Sequence, residues 1–352
     1  MMARSVDYED SERVVSGKKE SSMDKVLLVN SIAHLLVDGV CTAALFGRMG
    51  SDPNLSMLVM LYTTLAFSTQ GIVGILGDRL KTNVQADSIA MLIVAFGFLL
   101  PLPPLLRTVI IGFGNSIFHV AGGTMTLEDS NGKAGKLGIF VAPGAIGLNI
   151  GMLWPTTGAT MAIALIISSV VLLFVCKDRT VAERNPTSHP RVAVIVLLTL
   201  SVAVRVIGGT VVQFPWNTTS GMAMLLALFV FAGKTAGGFV CDRVGVRATA
   251  MISLIPAAIL IVFFSEWMFP SLMGQFLLNL TMPVTLWLLY RAMPDSPGFA
   301  FGLAASALWP GTLVGRMMNG QVLWVCVLIS FSFGLIAILY SEKRILHGAR
   351  RI

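Results

Sequence analysis

The feature that most constrains this chain is a series of twelve apolar runs joined by very short loops. A helix needs about 20 mostly apolar residues to cross a bilayer. The runs, numbered here as spans 1 to 12, lie approximately at 26–47, 55–76, 84–102, 104–126, 137–155, 158–176, 192–214, 219–240, 248–268, 270–290, 298–317 and 320–340. Only 12% of the residues are charged, about half the share in an average soluble protein. The sequence therefore predicts an all-α membrane protein with twelve transmembrane helices. It excludes a cytoplasmic enzyme, a nucleic-acid-binding domain and a secreted disulfide scaffold.

One interior stretch is polar enough to be a linker, and it separates six spans from the other six. The predicted regions are an N-terminal tail at 1–24, a six-helix bundle at 25–176, the linker at 177–191, a second six-helix bundle at 192–340 and a C-terminal tail at 341–352. With both termini inside, 20 of the 25 Lys and Arg residues fall on the cytoplasmic side. Because cytoplasmic loops carry an excess of Lys and Arg, we predict a multi-pass protein of the cell membrane with both termini in the cytoplasm.

The two halves contain related segments. The loops after spans 2 and 8 both carry Gly-x-x-x-Asp-Arg, at 74–79 and 238–243, and spans 5 and 11 share a Gly-Leu…Leu-Trp-Pro pattern at 147–155 and 302–310. Similarity at a fixed offset is typical of transporter bundles that arose by duplication. The residues predicted to form gating loops are Gly74, Asp78, Arg79, Gly238, Asp242, Arg243 and Arg247.

Twelve spans in two sets of six, with these loops, resemble the major facilitator superfamily over residues 25–340. The resemblance implies two pseudo-symmetric six-helix bundles around a cavity lined by the first, fourth, seventh and tenth helices. It also implies that Asp78 contacts the start of span 11 and Asp242 the start of span 5, which latches the outward-open state. The alternative is that these loop charges only set the topology. Lys81 stands where the family's loop signature has Gly, which predicts a less tight first gate.

Two further motifs resemble one branch of that superfamily, the fosmidomycin-resistance-like drug exporters. Span 1 has His34-x-x-x-Asp38, and span 4 has Phe118-His119. That branch carries H-x-x-x-D in its first helix and F-H-P in its fourth, whereas Val120 follows the histidine here. The resemblance implies export of a drug-like compound.

His34, Asp38 and His119 are the predicted proton-coupling residues. His34 and Asp38 are four residues apart and share one face of a helix. A neighbouring opposite charge favours the charged form of each group, whereas removal from water favours the neutral forms. These opposing effects allow a proton to bind and leave. The alternatives are a structural pair for His34 and Asp38, and for His119 a substrate contact or a core histidine bonded to a backbone carbonyl.

Other polar residues in the spans are predicted to contact a substrate. They are Asn30, Asn115, Arg205, Gln213, Gln275 and Asn279. An arginine at mid-depth in a bilayer must pair or face water, so either Asp38 or an anionic substrate is the expected partner of Arg205.

These observations predict a secondary active transporter that exports a small organic compound or drug by alternating access, coupled to protons, with sodium left open as the coupling ion. The alternatives are an uptake symporter or uniporter for a small organic anion, and a non-transporting membrane sensor. No Gly-x-x-x-x-Gly-Lys-Ser/Thr loop for ATP is present, and the four cysteines lack metal-site spacing. We therefore predict a monomer in the lipid bilayer that is not an enzyme, with no cofactor, no metal and no nucleic-acid partner.

Overall fold

The computed structural model describes residues 4–177, 191–317 and 323–346, and every regular element in these segments is a helix. The helices are Arg4–Ala43 and Ala44–Arg48 in span 1, Leu55–Thr63, Thr64–Ser68 and Gln70–Leu80 in span 2, Asn83–Leu99 in span 3, Pro104–Glu128 in span 4, Gly135–Val141 and Pro143–Leu153 in span 5, Pro155–Thr157 and Gly158–Val175 in span 6, Val192–Val211 in span 7, Ser220–Val244 in span 8, Val246–Phe264 in span 9, Met268–Ala292 in span 10, Pro297–Ser306 and Leu308–Met317 in span 11, and Leu323–Leu346 in span 12. Within the described residues, eleven spans are long and apolar enough to cross a membrane, and Asn83–Leu99 is a shorter apolar helix.

The predicted N-terminal tail is helical from Arg4 onward. It forms one continuous helix with span 1, and that helix ends at Ala43. The predicted linker lies outside the described residues except at its two ends, as do 320–322 at the start of predicted span 12 and 347–352 in the C-terminal tail.

The two halves repeat one packing scheme. Span 1 packs against spans 5 and 6, and span 3 against spans 4 and 6. In the second half, span 7 packs against spans 11 and 12, and span 9 against spans 10 and 12. The halves meet where span 2 packs against span 11 and span 5 against span 8. The predicted fold of two pseudo-symmetric six-helix bundles is confirmed.

A buried arginine caps the end of span 3. Arg107, in span 4, donates from Nη1 to the carbonyls of Gly97 and Phe98 at 3.0 and 2.7 Å, and from Nη2 to those of Leu100 and Leu102 at 3.0 and 3.3 Å. The last carbonyls of a helix have no partner within the helix. The guanidinium supplies that partner away from water, so the chain can turn at this depth.

Spans 1 and 5 approach each other closely enough that their backbones touch. A Cβ added at Gly147 would overlap the carbonyl oxygen of Leu35, and one added at Gly144 would overlap Asp38 Oδ2 and His34 Nε2. Small residues are the usual means by which membrane helices reach such short separations. This packing fixes span 5 directly beside the polar face of span 1.

Candidate functional site

A cavity of about 330 Å³ lies between the two halves. Its wall is mostly apolar and comes from spans 1, 2, 4, 5, 7, 8, 10 and 11. The polar side chains that line it are His34, Asp38, Gln70, His119, Arg205, Lys234, Asn279 and Thr285. The four spans that the family resemblance implied as the lining therefore contribute, and spans 2, 5, 8 and 11 contribute as well.

Three ionisable side chains of the first half meet at one wall of the cavity. His34 Nε2 and His119 Nε2 are 2.9 Å apart. Asp38 lies beside both rings, with Oδ2 3.4 Å from His34 Nε2 and Oδ1 3.6 Å from His119 Nε2. The two histidines are buried and Asp38 is partly exposed toward the cavity. We call these residues the His-Asp cluster.

Backbone carbonyls fix the tautomers of both histidines. His34 Nδ1 lies 2.7 Å from the carbonyl oxygen of Phe140, and His119 Nδ1 lies 2.9 Å from that of Asn115. A carbonyl oxygen accepts only, so each Nδ1 carries a hydrogen. Each Nε2 of a neutral ring is then an acceptor. Two acceptors at 2.9 Å repel each other unless one additional hydrogen lies between them.

Asp38 is placed to balance the charge of such a hydrogen. Its Oδ1 accepts a hydrogen bond of 3.0 Å from Asn115 Nδ2, which holds the carboxylate in place. A proton shared by His34 and His119 gives the cluster one positive and one negative charge. Paired charges are tolerated inside a membrane protein far better than single ones.

Two cationic side chains of the second half face the same cavity. Arg205, in span 7, donates from Nη1 to Thr281 Oγ1 at 2.7 Å and from Nη2 to Thr285 Oγ1 at 2.9 Å. Neither Arg205 nor Lys234 forms an ion pair with a residue whose side chain the structure describes. Of the two expected partners of Arg205, Asp38 is engaged with the histidines instead.

The loops after spans 2 and 8 join the halves at one face of the molecule, which we call the Asp-Arg face. Asp242 accepts hydrogen bonds of 2.8 and 2.9 Å from the amides of Ala134 and Gly135, where span 5 begins. Asp78 accepts two of 2.8 Å from the amides at 298 and 299, where span 11 begins. The contacts that the family resemblance implied are present, and they place a carboxylate at a helix start, where the helix dipole favours it. The arginines of these loops, Arg79, Arg243 and Arg247, are exposed.

The two loops turn differently. Lys81, which stands where the family signature has Gly, has a left-handed backbone with φ of 55°. In the second loop the residue with positive φ is Gly245, at 85°. A side chain in the left-handed region costs about 1 kcal/mol, so the first loop is formed at a cost that the second avoids.

The structure brings some of the predicted substrate residues to the cavity and not others. Asn279 lines the cavity. Asn115 does not line it but donates a hydrogen bond to Asp38, which does. Gln213 is exposed in the loop after span 7, because the helix ends at Val211 rather than at the predicted 214. Asn30 is fully buried beside Asp87, and Gln275 lies on span 10 outside the lining.

Three residues of the lining had no role assigned from the sequence. Lys234 was visible as a lysine within an apolar run, which is itself a signal of function. Gln70 and Thr285 gave no signal, because a polar residue in a span reveals its direction only once the neighbouring helices are placed.

Comparison with known proteins decides the fold. No family sequence model matches the chain, and no curated protein matches it by sequence. Solved structures do match. The transporter FucP in its outward conformation superposes with a TM-score of 0.69 at 12% identity, covering 92% of this chain and 98% of that one. The chain has the major facilitator fold.

Two other solved structures with the major facilitator fold agree. A bacterial homologue of the iron transporter ferroportin has a TM-score of 0.64 at 14% identity and covers 92% of this chain and 98% of its own. The human organic anion transporter MFSD10 has a TM-score of 0.64 at 13% identity, with 91% and 99% covered. These proteins are membrane transporters by name, and at such low identity the likeness extends to the fold.

Proposed function

We propose that this protein is a secondary transporter that moves a small organic anion by alternating access, coupled to a proton held by the His-Asp cluster. The observation that carries the proposal is the cavity between the halves. One of its walls presents Arg205 and Lys234, which have no carboxylate partner among the side chains that the structure describes, and the opposite half presents the cluster.

The cationic wall favours an anion. A charge held at bilayer depth without a partner is costly, and a bound carboxylate or phosphate would offset that cost. The guanidinium of Arg205 is already oriented by the two threonine hydroxyls, so little side-chain entropy is lost when a ligand binds. A volume of about 330 Å³ suits a small organic molecule.

The latches supply the alternating step. In this proposal, Asp78 and Asp242 hold the Asp-Arg face closed while they are engaged, and the substrate then reaches the cavity from the opposite face. On the topology predicted from the Lys and Arg distribution, the Asp-Arg face is cytoplasmic. Rocking one bundle against the other would break both latches and expose the cavity to the cytoplasm.

The matching solved structures support the proposal by what their names state. One is named as a fucose:proton symporter and another as an organic anion transporter. Export, as in the fosmidomycin-resistance-like branch, is the direction we propose. Flux in reconstituted vesicles of known orientation, under an imposed pH gradient of either sign, tests it: substrate movement against the proton flow supports export, and movement with it supports uptake.

Replacement of Arg205 by Met should strongly weaken substrate binding. Removing one partner of a buried charged hydrogen bond costs about 2–5 kcal/mol, so affinity should fall at least about 25-fold. A panel of small carboxylates and organophosphates identifies the substrate of the wild type by thermal stabilisation in detergent, with uncharged sugars and organic amines as controls. Arg205→Lys, which keeps the charge, should retain more affinity than Arg205→Met. Stronger binding of amines than of carboxylates by the wild type would contradict an anion site.

Replacement of both latch residues, Asp78→Asn with Asp242→Asn, should open the Asp-Arg face. A hydrogen bond to a charged group contributes about 1.5–3 kcal/mol, and asparagine retains one uncharged acceptor, so the open population should rise about tenfold or more. Spin labels at Leu80 and Val244, exposed residues of opposite halves, report the separation when the four native cysteines are replaced by serine. Asp52→Asn, in a loop of the opposite face, is the control. An unchanged distance distribution in the double variant would show that these contacts do not hold the closed state.

A further inference from the structure

We propose that the His-Asp cluster is also a binding site for a divalent transition-metal cation such as Zn²⁺, which enters from the cavity. One nitrogen of His34, one of His119 and one carboxylate oxygen of Asp38 lie within 4.8 Å of one another. The inference rests on the geometry of these three side chains. It deepens the proposed function by naming a competitor for the coupling proton.

The spacing of the donor atoms matches a tetrahedral site. Two ligands bound at 2.0–2.1 Å in tetrahedral geometry are about 3.3 Å apart. The nitrogen-to-oxygen separations here are 3.4 and 3.6 Å, and the nitrogen-to-nitrogen separation is 2.9 Å. The two rings need to part by only about 0.4 Å for an ion to be held between all three groups.

The surrounding hydrogen bonds prepare the cluster as ligands. Metal-binding histidines almost always donate their second ring hydrogen to a carbonyl or carboxylate, which fixes the ring. Both histidines do so, to the carbonyls of Phe140 and Asn115, and this leaves their two Nε2 atoms as acceptors 2.9 Å apart. Asn115 Nδ2 holds the Asp38 carboxylate in the same manner.

The cavity gives access and a free coordination position. All three side chains are part of its lining, and Gly144 beside them adds no side chain to cover them. A fourth ligand, either water or an anionic group of a substrate, can therefore approach from the cavity. Lys234 is within electrostatic range of His119 and Asp38 and opposes the cation.

The donor set also selects the class of metal. Two imidazoles and one carboxylate suit Zn²⁺, Co²⁺, Ni²⁺ or Fe²⁺, whereas Mg²⁺ and Ca²⁺ prefer oxygen ligands throughout. The sequence alone does not reveal these three ligands as a group. His119 is 85 residues from His34 and reaches it only through the packing of spans 1 and 4.

Titration calorimetry with ZnCl₂ on the purified full-length protein in detergent tests the site. We expect one Zn²⁺ per chain, no binding of Mg²⁺, and a loss of affinity of at least about 100-fold in both His119→Asn and Asp38→Asn. Lys234→Met should bind Zn²⁺ about threefold or more tightly than the wild type, because a repelling charge is gone. Thermal unfolding measured without metal shows which variants are folded. If His119→Asn or Asp38→Asn is not folded, His34→Asn is tested in its place.

Other potential zinc ligands provide the controls. The remaining histidines of the sequence are His189 and His347, and Cys326 is the least buried cysteine. His189→Asn with His347→Asn, and separately Cys326→Ser, should leave the affinity unchanged. Absence of binding to the wild type at millimolar Zn²⁺, or equal binding by wild type and His119→Asn, would overturn the inference. Because calorimetry requires no transport, a folded protein that binds Zn²⁺ but moves no anion would refute the proposed function alone.

Discussion

Asp38→Asn should eliminate transport driven by a pH gradient. Asparagine has nearly the same shape as aspartate but cannot balance the charge of a proton shared by His34 and His119. Removing one member of a buried ion pair costs about 3–5 kcal/mol, so proton binding at the cluster should weaken by more than about 100-fold. Accumulation of substrate in proteoliposomes under an imposed gradient measures the effect.

Counterflow distinguishes lost coupling from lost binding. Exchange of labelled for unlabelled substrate needs no net proton movement, so Asp38→Asn should retain it within a few-fold while its driven accumulation disappears. Asp52→Asn, which removes an acid from a loop at the opposite face, should preserve both activities. Driven accumulation at the wild-type level in Asp38→Asn would remove Asp38 from the coupling mechanism.

Gly147→Ala should be among the most destabilising single substitutions in the first half. The added methyl would overlap the carbonyl oxygen of Leu35 and come within 2.9 Å of its Cα. Both are backbone atoms of a packed helix, so neither can rotate away. Overpacking costs about 1–3 kcal/mol and sometimes more, and we expect the upper end of that range or beyond. Reversible unfolding in mixed detergent measures the loss.

A matched glycine controls for the change in helix propensity. Gly209 lies in the helix Val192–Val211, and a Cβ there meets nothing within 4 Å. Alanine is favoured over glycine within helices by about 0.5–1 kcal/mol, so Gly209→Ala should be neutral or stabilising. Similar stability of the two variants would show that the contact between spans 1 and 5 is looser than described.

The sequence was sufficient for the fold because the determining pattern is local. Apolar length identifies a membrane helix one segment at a time, and the repeated loops identify the duplication. The pairing of His34 with Asp38 followed from helical periodicity alone, since residues four apart share a face. The arrival of His119 at the same point depends on how span 4 packs against span 1, which no local pattern contains.

Helix ends and interior partners were harder to predict. Spans 5 and 11 share Leu-Trp-Pro, yet the first copy ends its helix at Leu153 with Trp154 at φ of −130°, and the second continues within Leu308–Met317. The partners of Arg205 are two threonines of span 10, which sequence reasoning did not consider because hydroxyls are common in apolar helices. In each case the neighbouring helices decide the outcome.

The short helix Gly135–Val141 links the gate to the proton. Its first amide is held by Asp242 of the other half, and near its last residue the carbonyl of Phe140 accepts the hydrogen of His34 Nδ1. Seven residues of helix form a stiff element about 10 Å long, and Ala142 separates it from the next helix, which begins at Pro143. On the proposed mechanism, release of Asp242 would free the start of this helix, whose other end carries the acceptor of the His34 Nδ1 hydrogen. The gate and the imidazole of the proposed coupling site are thus joined through one short helix.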